Sequence, residues 1–341
     1  MKSILKQVVG IDVGSQELVL ALGSLFSSLH TEIKAAKAFR NSEKGFNELL
    51  EWVEKLKDQE APLWFVMEAT GVYHEKLAYF LNSKGYKLSI VLPNKISNYM
   101  RTLETRTITD KTCAEAITRF GLERAVREWQ KPNPTFKKIR QLTREREQII
   151  AERTIVKNQK HAEEAEAHPS QSSIKRMEAR IRLLVNQEKE IKREISKLIA
   201  KDEATSRIVK LLCSIPGIAE LTAATIVGET NGFELIQSRR QLAGYVGLDV
   251  REKQSGISVK GKACISKKGN KYLRKAMYLP ALCAIRFDTN FKNHFARLVS
   301  RHGIKMKAVV AVERKLLELA YTLYKNNKRY QPNYSSNAEA A

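Results

Sequence analysis

The sequence predicts an α/β N-terminal domain, a helical coiled-coil arm and a mostly α C-terminal domain. Short apolar runs near the N-terminus alternate with segments of helical periodicity. Residues 136–200 are densely charged and carry apolar residues at heptad spacing, whereas apolar helical segments dominate residues 206–323. The predicted segments are 1–130, 131–204, 205–325 and a polar, disordered tail at 326–341.

The N-terminal domain alternates predicted strands with predicted helices. The predicted strands are 8–12, 19–22, 63–67 and 88–92, of which the first two form a hairpin. Helical spacing begins at residue 42, and a second helix is predicted at 75–81. A further helix should begin near Asp110, whose carboxylate suits an N-cap. Such alternation is typical of an α/β domain.

Heptad spacing in the second half of the arm predicts a long helix. The apolar heptad residues are Ile174, Met177, Ile181, Leu184, Ile191, Ile195 and Leu198, and Glu188 fills the one remaining position. A proline and three serines at 168–173 indicate that this helix folds back on the preceding one. A heptad pattern is more often structural or oligomeric than catalytic, so we expect the arm to support a homo-oligomer, either a dimer or a tetramer.

The C-terminal domain begins with an apolar helix, a Pro216-Gly217 turn and a second apolar helix. This order is similar to a helix-hairpin-helix, which offers backbone N–H groups at a helix N-terminus to a phosphate. Any helical hairpin can turn on Pro-Gly, so a purely structural role for this turn stays open.

The charge of the chain predicts a polyanionic partner. Lysine and arginine total 60 against 37 aspartates and glutamates, a net charge of +23. Residues 251–329 hold 20 of these cations but only 4 acids. Nucleic acid is the expected partner, and the C-terminal quarter should lie on phosphate. A solvated ribosomal-type or chaperone surface is the alternative.

Cysteine usage and hydropathy indicate a cytoplasmic protein with no membrane partner. The four cysteines form no CxxC pair and have no histidine cluster nearby, which favours reduced thiols over a zinc site. The N-terminal apolar run is interrupted at Asp12, and no apolar stretch approaches the roughly 20 residues that span a bilayer.

Two carboxylates follow apolar strands of the N-terminal domain. Asp12 ends the first strand and Glu68 ends the strand at 63–67, so both leave the same side of the sheet. Adjacent carboxylates repel each other unless a cation lies between them, which favours magnesium. Taken singly, each acid is more often a turn or cap residue.

Three N-terminal motifs and three C-terminal motifs resemble one family. IDVG around Asp12, MEATGVY around Glu68 and TDKTCAEAI around Asp110 look like the RuvC-like, ribonuclease-H-type domain of the DEDD insertion-sequence transposases, relatives of the Piv DNA invertases. SIPGI, QLAGYVGL and SGISVKGKACISKKGNKYLRKAMYLPA resemble the second domain of that family. The resemblance covers nearly the whole chain in the same order.

The resemblance implies a metal-binding set of four acids. The matching positions are Asp12, Glu68, Asp110 and residue 113, and the implied metal is Mg²⁺. Residue 113 is Cys113, a soft ligand that binds magnesium poorly. Glu115 is a poor substitute, because two residues further along a helix it points to a different face.

The resemblance also implies a serine nucleophile, a DNA substrate and an RNA partner. Ser255 matches the catalytic serine, which would attack a DNA phosphate and form a covalent serine–DNA link. Members of this family choose their sites with a structured guide RNA encoded beside the gene. The expected nucleic-acid-binding residues are Gly217, Lys260, Lys262, Lys267, Lys268 and Arg274.

Two alternatives to the recombinase stay open at this point. In the first, Cys113 has disabled the chemistry and the chain is a relic that only binds DNA or RNA. In the second, the chain is a RuvC-like nuclease that uses water. Three outcomes would distinguish these interpretations. A serine trapped on DNA supports the recombinase, binding without cleavage supports the relic, and hydrolysed ends support the nuclease.

Overall fold

The computed structural model describes residues 3–69, 71–103, 107–234, 236–252, 254–255, 259–261 and 264–332. For residues 255, 259 and 260 only the backbone is described. The chain forms two compact units, residues 1–131 and 132–341. Each unit is considered by itself below.

The first unit is built on a mixed five-stranded sheet. Its strands are β1 (Ile4–Val13), β2 (Glu17–Phe26), β3 (Thr31–Arg40), β4 (Leu63–Glu68) and β5 (Lys87–Val91). The strand order is β3-β2-β1-β4-β5, with the first three strands antiparallel and β4 and β5 parallel to β1. The predicted hairpin and buried strands are confirmed, and β3 adds an edge strand that the sequence analysis missed.

Among the residues that the structure describes, four helices complete this α/β unit and confirm its predicted class. They are α1 (Glu43–Leu56), α2 (Glu75–Ser83), α3 (Pro93–Met100) and α4 (Asp110–Glu123). The N-cap of α4 is Thr109, because its hydroxyl accepts from the Thr112 backbone N–H at 3.2 Å and the Thr112 hydroxyl accepts in return at 2.8 Å. The predicted N-cap role of Asp110 was therefore wrong. As the first residue of the helix, Asp110 keeps its carboxylate free of capping.

Helix α4 lies directly on the centre of the sheet. A Cβ at Gly10 of β1 would overlap the backbone of Thr118, so only glycine allows this approach. The fully buried Thr118 hydroxyl accepts a hydrogen bond from the Gly10 N–H at 3.1 Å and lies 2.9 Å from the Ala21 carbonyl oxygen. This contact fixes the position of α4 across β1 and β2.

The second unit is mostly helical, as predicted. Its helices are α5 (Pro134–Glu164), α6 (Gln171–Lys201), α7 (Glu203–Leu212), α8 (Glu220–Thr230), α9 (Arg239–Val246), α10 (Lys271–Phe287), α11 (Thr289–His302) and α12 (Lys305–Asn326). Two short hairpin-like ladders join them, β6 (Val250–Arg251) with β9 (Cys264–Ile265) and β7 (Gln254–Ser255) with β8 (Val259–Lys260). Across the described ranges, none of the helices combines the length and apolar character needed to cross a bilayer.

The arm is a pair of long helices that run antiparallel. Ion pairs join Lys138 to Glu194 at 3.5 Å near the base and Lys160 to Glu178 at 2.8 Å near the turn. The predicted heptad residues Ile174, Leu184, Ile191 and Ile195 are buried, as is Ile199, whereas Met177, Ile181 and Leu198 are half-buried. Coiled-coil geometry and oligomerisation through the arm stay predictions, and the apolar face is already used within the chain.

Glu188 is buried in this apolar face and is held by three cations. Burial disfavours its charge, but hydrogen bonds from Lys192 and Arg153 and the charge of Arg146 outweigh burial and lower the pKa of Glu188 to about 2. Because the pKa is lowered, the stabilisation is present above the ordinary carboxyl range and is lost as the pH falls through 2. The carboxylate at the polar heptad position is therefore paired with Arg146 and Arg153 of α5 and with Lys192 of α6.

A second buried carboxylate connects the arm to the C-terminal helices. Glu229 of α8 is 1% exposed and accepts two hydrogen bonds of 2.7 Å from Arg144 of α5. Asn270, which caps α10, donates to the same carboxylate at 2.6 Å. The Arg144 guanidinium also lies 4.7 Å from the ring centroid of Tyr272. The arm and the C-terminal helices thus share one core and one polar network.

Replacement of Arg144 tests this network. Arg144→Ala should lower the unfolding free energy of the second unit by about 3 kcal/mol and its Tm by roughly 6–12 °C, because it leaves a buried charge unpaired. Arg180→Ala removes an exposed pair at 3.8 Å in the same arm and should cost less than about 1 kcal/mol. Thermal melting followed by circular dichroism measures both. Equal losses of unfolding free energy in the two variants would show that the buried pair stabilises the unit no more than the exposed pair does.

Candidate active site

Strand pairing brings two predicted carboxylates to one edge of the sheet. β1 and β4 are parallel neighbours whose last recorded pair is Ile11 with Met67. Asp12 and Glu68 each follow one residue later and lie side by side at the carboxyl ends of the two strands. This position agrees with the expectation from the sequence.

Helix α4 contributes Asp110 and Cys113 to the same place. Burial, then the charges of Asp110 and Glu68, raise the pKa of Asp12 to about 6, while a hydrogen bond from the Val13 backbone opposes the shift. Burial and the charges of Asp12, Glu68 and Asp110 also raise the pKa of the Cys113 thiol. Asp12 and Cys113 therefore both lie within electrostatic range of Glu68 and Asp110, the other two positions that the resemblance groups with them.

The donor atoms of this group fit a hard divalent cation at three positions. Carboxylate oxygens suit magnesium, and a cation would offset both the burial and the repulsion that together raise the pKa of Asp12. The protonated thiol of Cys113 does not suit it. Within the described part of the chain, no three His, Cys, Asp or Glu residues are spaced to hold a metal ion as they stand. A bound cation would have to draw the carboxylates closer together.

Asn41 is a positioning residue that the sequence analysis missed. Its side-chain amide donates to the Gly14 carbonyl at 2.9 Å and to the Tyr73 carbonyl at 3.3 Å. These two carbonyls lie in the segments that follow Asp12 and Glu68. One side chain from the end of β3 therefore ties together the segments beyond both carboxylates, and no local sequence signal marks it.

Three exposed apolar side chains lie next to β4, β5 and α4 in the sequence. Val72 is 69% exposed, Leu92 58% and Ile108 77%. They follow β4, follow β5 and precede α4, respectively.

The structure places Ser255 in a short ladder of the second unit. Ser255 pairs with Val259 and Gln254 pairs with Lys260. The side chains of Ser255 and Lys260 lie outside the described atoms, and Gly256 and Lys262 lie outside the described residues. Ser255 and the carboxylates belong to different units, so the catalytic role of Ser255 stays a prediction.

The remaining predicted nucleic-acid contacts differ in their surroundings. Lys267 and Lys268 are exposed, whereas Arg274 is half-buried and donates to the Val246 carbonyl at 2.7 Å. Gly217 has φ +88°, and a Cβ there would lie 3.1 Å from the Pro280 carbonyl carbon. The glycine is thus required by its packing on α10, and any phosphate contact by Gly217 stays a prediction.

Comparison with known proteins identifies the class as transposases. Residues 9–163 match a family model described as "Transposase", of the IS110 DEDD type, and residues 209–296 match "Transposase IS116/IS110/IS902 family". The "Pilin gene-inverting protein" of Moraxella bovis is 31% identical over 303 residues, covering 86% of this chain and 89% of that protein. The protein of the same name from Moraxella lacunata is 31% identical over 306 residues, with the same coverage.

The chain belongs to the IS110 family of insertion-sequence transposases and recombinases. An "Insertion element IS110 uncharacterized 43.6 kDa protein" from Streptomyces coelicolor is 24% identical over 131 residues, 38% of this chain and 32% of that protein. A structure titled "T. thermophilus RuvC in complex with Holliday junction substrate" is 12% identical with a TM-score of 0.27, covering 36% of this chain and 99% of that chain.

The raised pKa of Asp12 gives a stability test. Above pH 6 the folded state holds an ionised Asp12 that is half-buried and lies beside two other acids, so in metal-free buffer at pH 7.5 Asp12→Asn should raise the Tm of the first unit by roughly 2–4 °C. Wild-type folding is favoured by protonation of Asp12 below pH 3.8, and this stabilisation is lost as the pH rises through 6. The gain should therefore vanish near pH 4.

Glu17→Gln removes an exposed carboxylate from the neighbouring strand and provides the control. In a chain of net charge +23 this change should leave the Tm the same or slightly lower. A lower Tm for Asp12→Asn than for Glu17→Gln at pH 7.5 would mean that burial and the neighbouring acids do not destabilise the ionised form of Asp12.

Proposed function

We propose that this chain cuts DNA and rejoins it to a different strand, with a metal site in the first unit and Ser255 as the nucleophile. One observation carries the metal site, namely that β4 and α4 each contribute a carboxylate, Glu68 and Asp110, close enough to raise the pKa of Asp12 on β1. Membership of a transposase family supports the reaction class. Two relatives named for gene inversion favour rejoining over simple hydrolysis.

Asp12, Glu68 and Asp110 would hold the divalent cation, for which Mg²⁺ is the best match to hard oxygen donors. The cation would supply positive charge against the anionic oxygens of the phosphate under attack. The residues of the chain have a separate task, which is to keep three carboxylates together despite their repulsion. The contact between α4 and β1, the strand register and Asn41 all serve that task.

The proposed nucleophilic step conserves the number of phosphate ester bonds. The Ser255 hydroxyl oxygen bonds to phosphorus as it loses its proton, and the bond from phosphorus to one sugar oxygen breaks as that oxygen gains a proton. A hydroxyl of another strand then attacks the serine ester and releases Ser255. No external energy source is required, because each step exchanges one phosphodiester bond for another.

The resemblance supports two further parts of the proposal. A structured guide RNA would select the DNA sites, and the excess of positive charge provides the phosphate affinity that two nucleic acids require. A homo-oligomer, a dimer or a tetramer, would bring the metal site and Ser255 together from different copies.

Ser255→Ala is expected to abolish strand exchange and leave DNA and RNA binding near normal, because one hydroxyl adds little to an interface made of phosphate contacts. The measurement is the amount of covalent protein–DNA adduct that survives denaturation, together with joined product. Ser300→Ala, an exposed serine of the same unit, is the control and should retain both. Joined product from Ser255→Ala would remove the serine from the mechanism, and hydrolysed ends would favour a water-using nuclease.

Cys113→Asp is expected to strengthen metal binding, because it adds a hard oxygen donor that faces the other three acids. Without metal, the extra charge should lower the Tm of the first unit, and added Mg²⁺ should raise the Tm by more than in the wild type. Activity should also appear at lower Mg²⁺ concentration. Cys113→Ser, which adds no charge, is the matched control. An Mg²⁺ response equal to that of Cys113→Ser would exclude residue 113 as a ligand position.

A further inference from the structure

The second unit contains a cleft that the proposed reaction does not use. It lies between α11, α12 and the segment after α12, and its volume is about 880 Å³. Ligand pockets of proteins span roughly 300–1,000 Å³, so the cleft is large enough for more than a single ion. It is separate in sequence from the Ser255 ladder and from the lysines expected to bind phosphate.

The cleft is positively charged. Arg297, Lys315, Lys328 and Arg329 line it with exposed side chains, and no acidic residue is among the described residues that line it. Burial, followed by the charges of Lys315 and Arg297, lowers the pKa of His294 in the same cleft. His294 is therefore neutral at pH 7 while its neighbours stay charged. A concave cationic surface of this kind concentrates anions.

The floor of the cleft is apolar and its rim is rich in amides. Buried Phe291 and half-buried Leu319 and Leu323 form the floor, and Tyr330 adds a second aromatic ring. The amide side chains are those of Asn290, Asn293, Asn326 and Gln331. A phosphate needs only the cations, whereas a nucleobase uses apolar and aromatic surface for its faces and amides for its edges.

Two hydrogen bonds hold the segment after α12 in place, so the cleft is formed before any ligand binds. The Tyr330 backbone N–H donates to the Ser214 hydroxyl at 2.9 Å, and the Tyr330 hydroxyl donates to Asp288 Oδ2 at 2.5 Å. Burial and the bond to Asp288 raise the pKa of Tyr330 to about 12, so the hydroxyl stays a donor. Lys328 and Arg329 are thereby held beside α11 and α12.

We propose that this cleft binds an unpaired stretch of nucleic acid, with phosphates on the four cations and at least one base on the apolar floor. A duplex would offer phosphates but could not place a base on the half-buried side chains of Leu323 and Tyr330. An acidic peptide could pair with the cations, but it has no planar group that needs both the floor and the amides. The inference rests on the proposed function only in that the chain acts on nucleic acid.

Fluorescence anisotropy of the full-length chain in EDTA tests this proposal without strand cutting. The probes are a labelled RNA of about 12 nucleotides, a DNA of the same sequence and the matching blunt DNA duplex. Arg297→Glu with Lys315→Glu should weaken single-strand binding about tenfold or more and reduce the slope of log K against log salt by about 1.4, as expected for two lost contacts. Duplex affinity should change by less than about threefold.

Lys292→Glu with Lys307→Glu is the matched control, because it makes the same charge change at exposed positions of the same two helices outside the cleft. It should weaken single-strand binding by less than about threefold. Equal losses in the two double variants, or equal losses for duplex and single strand, would overturn the proposal in favour of a general basic surface. The tighter of the RNA and DNA probes identifies the source of the strand.

Photocrosslinking locates the base independently of charge. Probes that carry 5-iodouracil should crosslink to the peptide containing Tyr330, and the crosslink should be lost in Arg297→Glu with Lys315→Glu. Crosslinks confined to residues outside α11, α12 and the segment after α12 would overturn the proposal. Asp12→Asn should bind the single strand normally, so failure of the cleft and failure of the cutting site give different results.

Discussion

The approach of α4 to the sheet at Gly10 is the constraint on which the candidate active site depends. Asp12, Glu68 and Asp110 repel one another when they are ionised. The surrounding fold must therefore hold these side chains together. The missing Cβ of Gly10 and the buried hydroxyl of Thr118 lock helix and strand at a fixed spacing. Packing of the hydrophobic core of the first unit thus offsets the unfavourable free energy of holding the three carboxylates close together.

Long elements with a regular apolar period could be predicted from the sequence. Elements whose position depends on neighbouring elements of the fold could not. The hairpin, the two parallel strands and the paired arm helices follow from apolar period alone. β3 was missed because it is an edge strand, with charged residues alternating with small ones and few buried positions. The N-cap of α4 was placed one residue late because both Thr109 and Asp110 favour that position, and only backbone geometry decides between them.

The site shows the same division. Asp12, Glu68 and Asp110 were predicted because each stands at the end of a recognisable element and belongs to a recognisable motif. Asn41 and the cleft of the second unit were not predicted. Asn41 acts on two carbonyl groups that are distant in sequence, and the cleft is assembled from α11, α12 and a segment whose position is set by Ser214 and Asp288. Neither feature has a local sequence pattern, because the contacts that define it join residues that are distant in sequence and meet only in the folded chain.

Glu229 has a consequence for communication within the second unit. Through Arg144 and Asn270, one carboxylate joins the base of the arm to the N-terminus of α10, where the segment that carries Ser255 ends. A displacement of α5 that breaks the bidentate pair would leave the buried charge of Glu229 without its arginine. Movements of α5 and of the N-terminus of α10 are therefore coupled. Because such a coupling is reciprocal, a change at the N-terminus of α10 acts on the base of the arm with the same coupling free energy as a change at the base of the arm acts on α10.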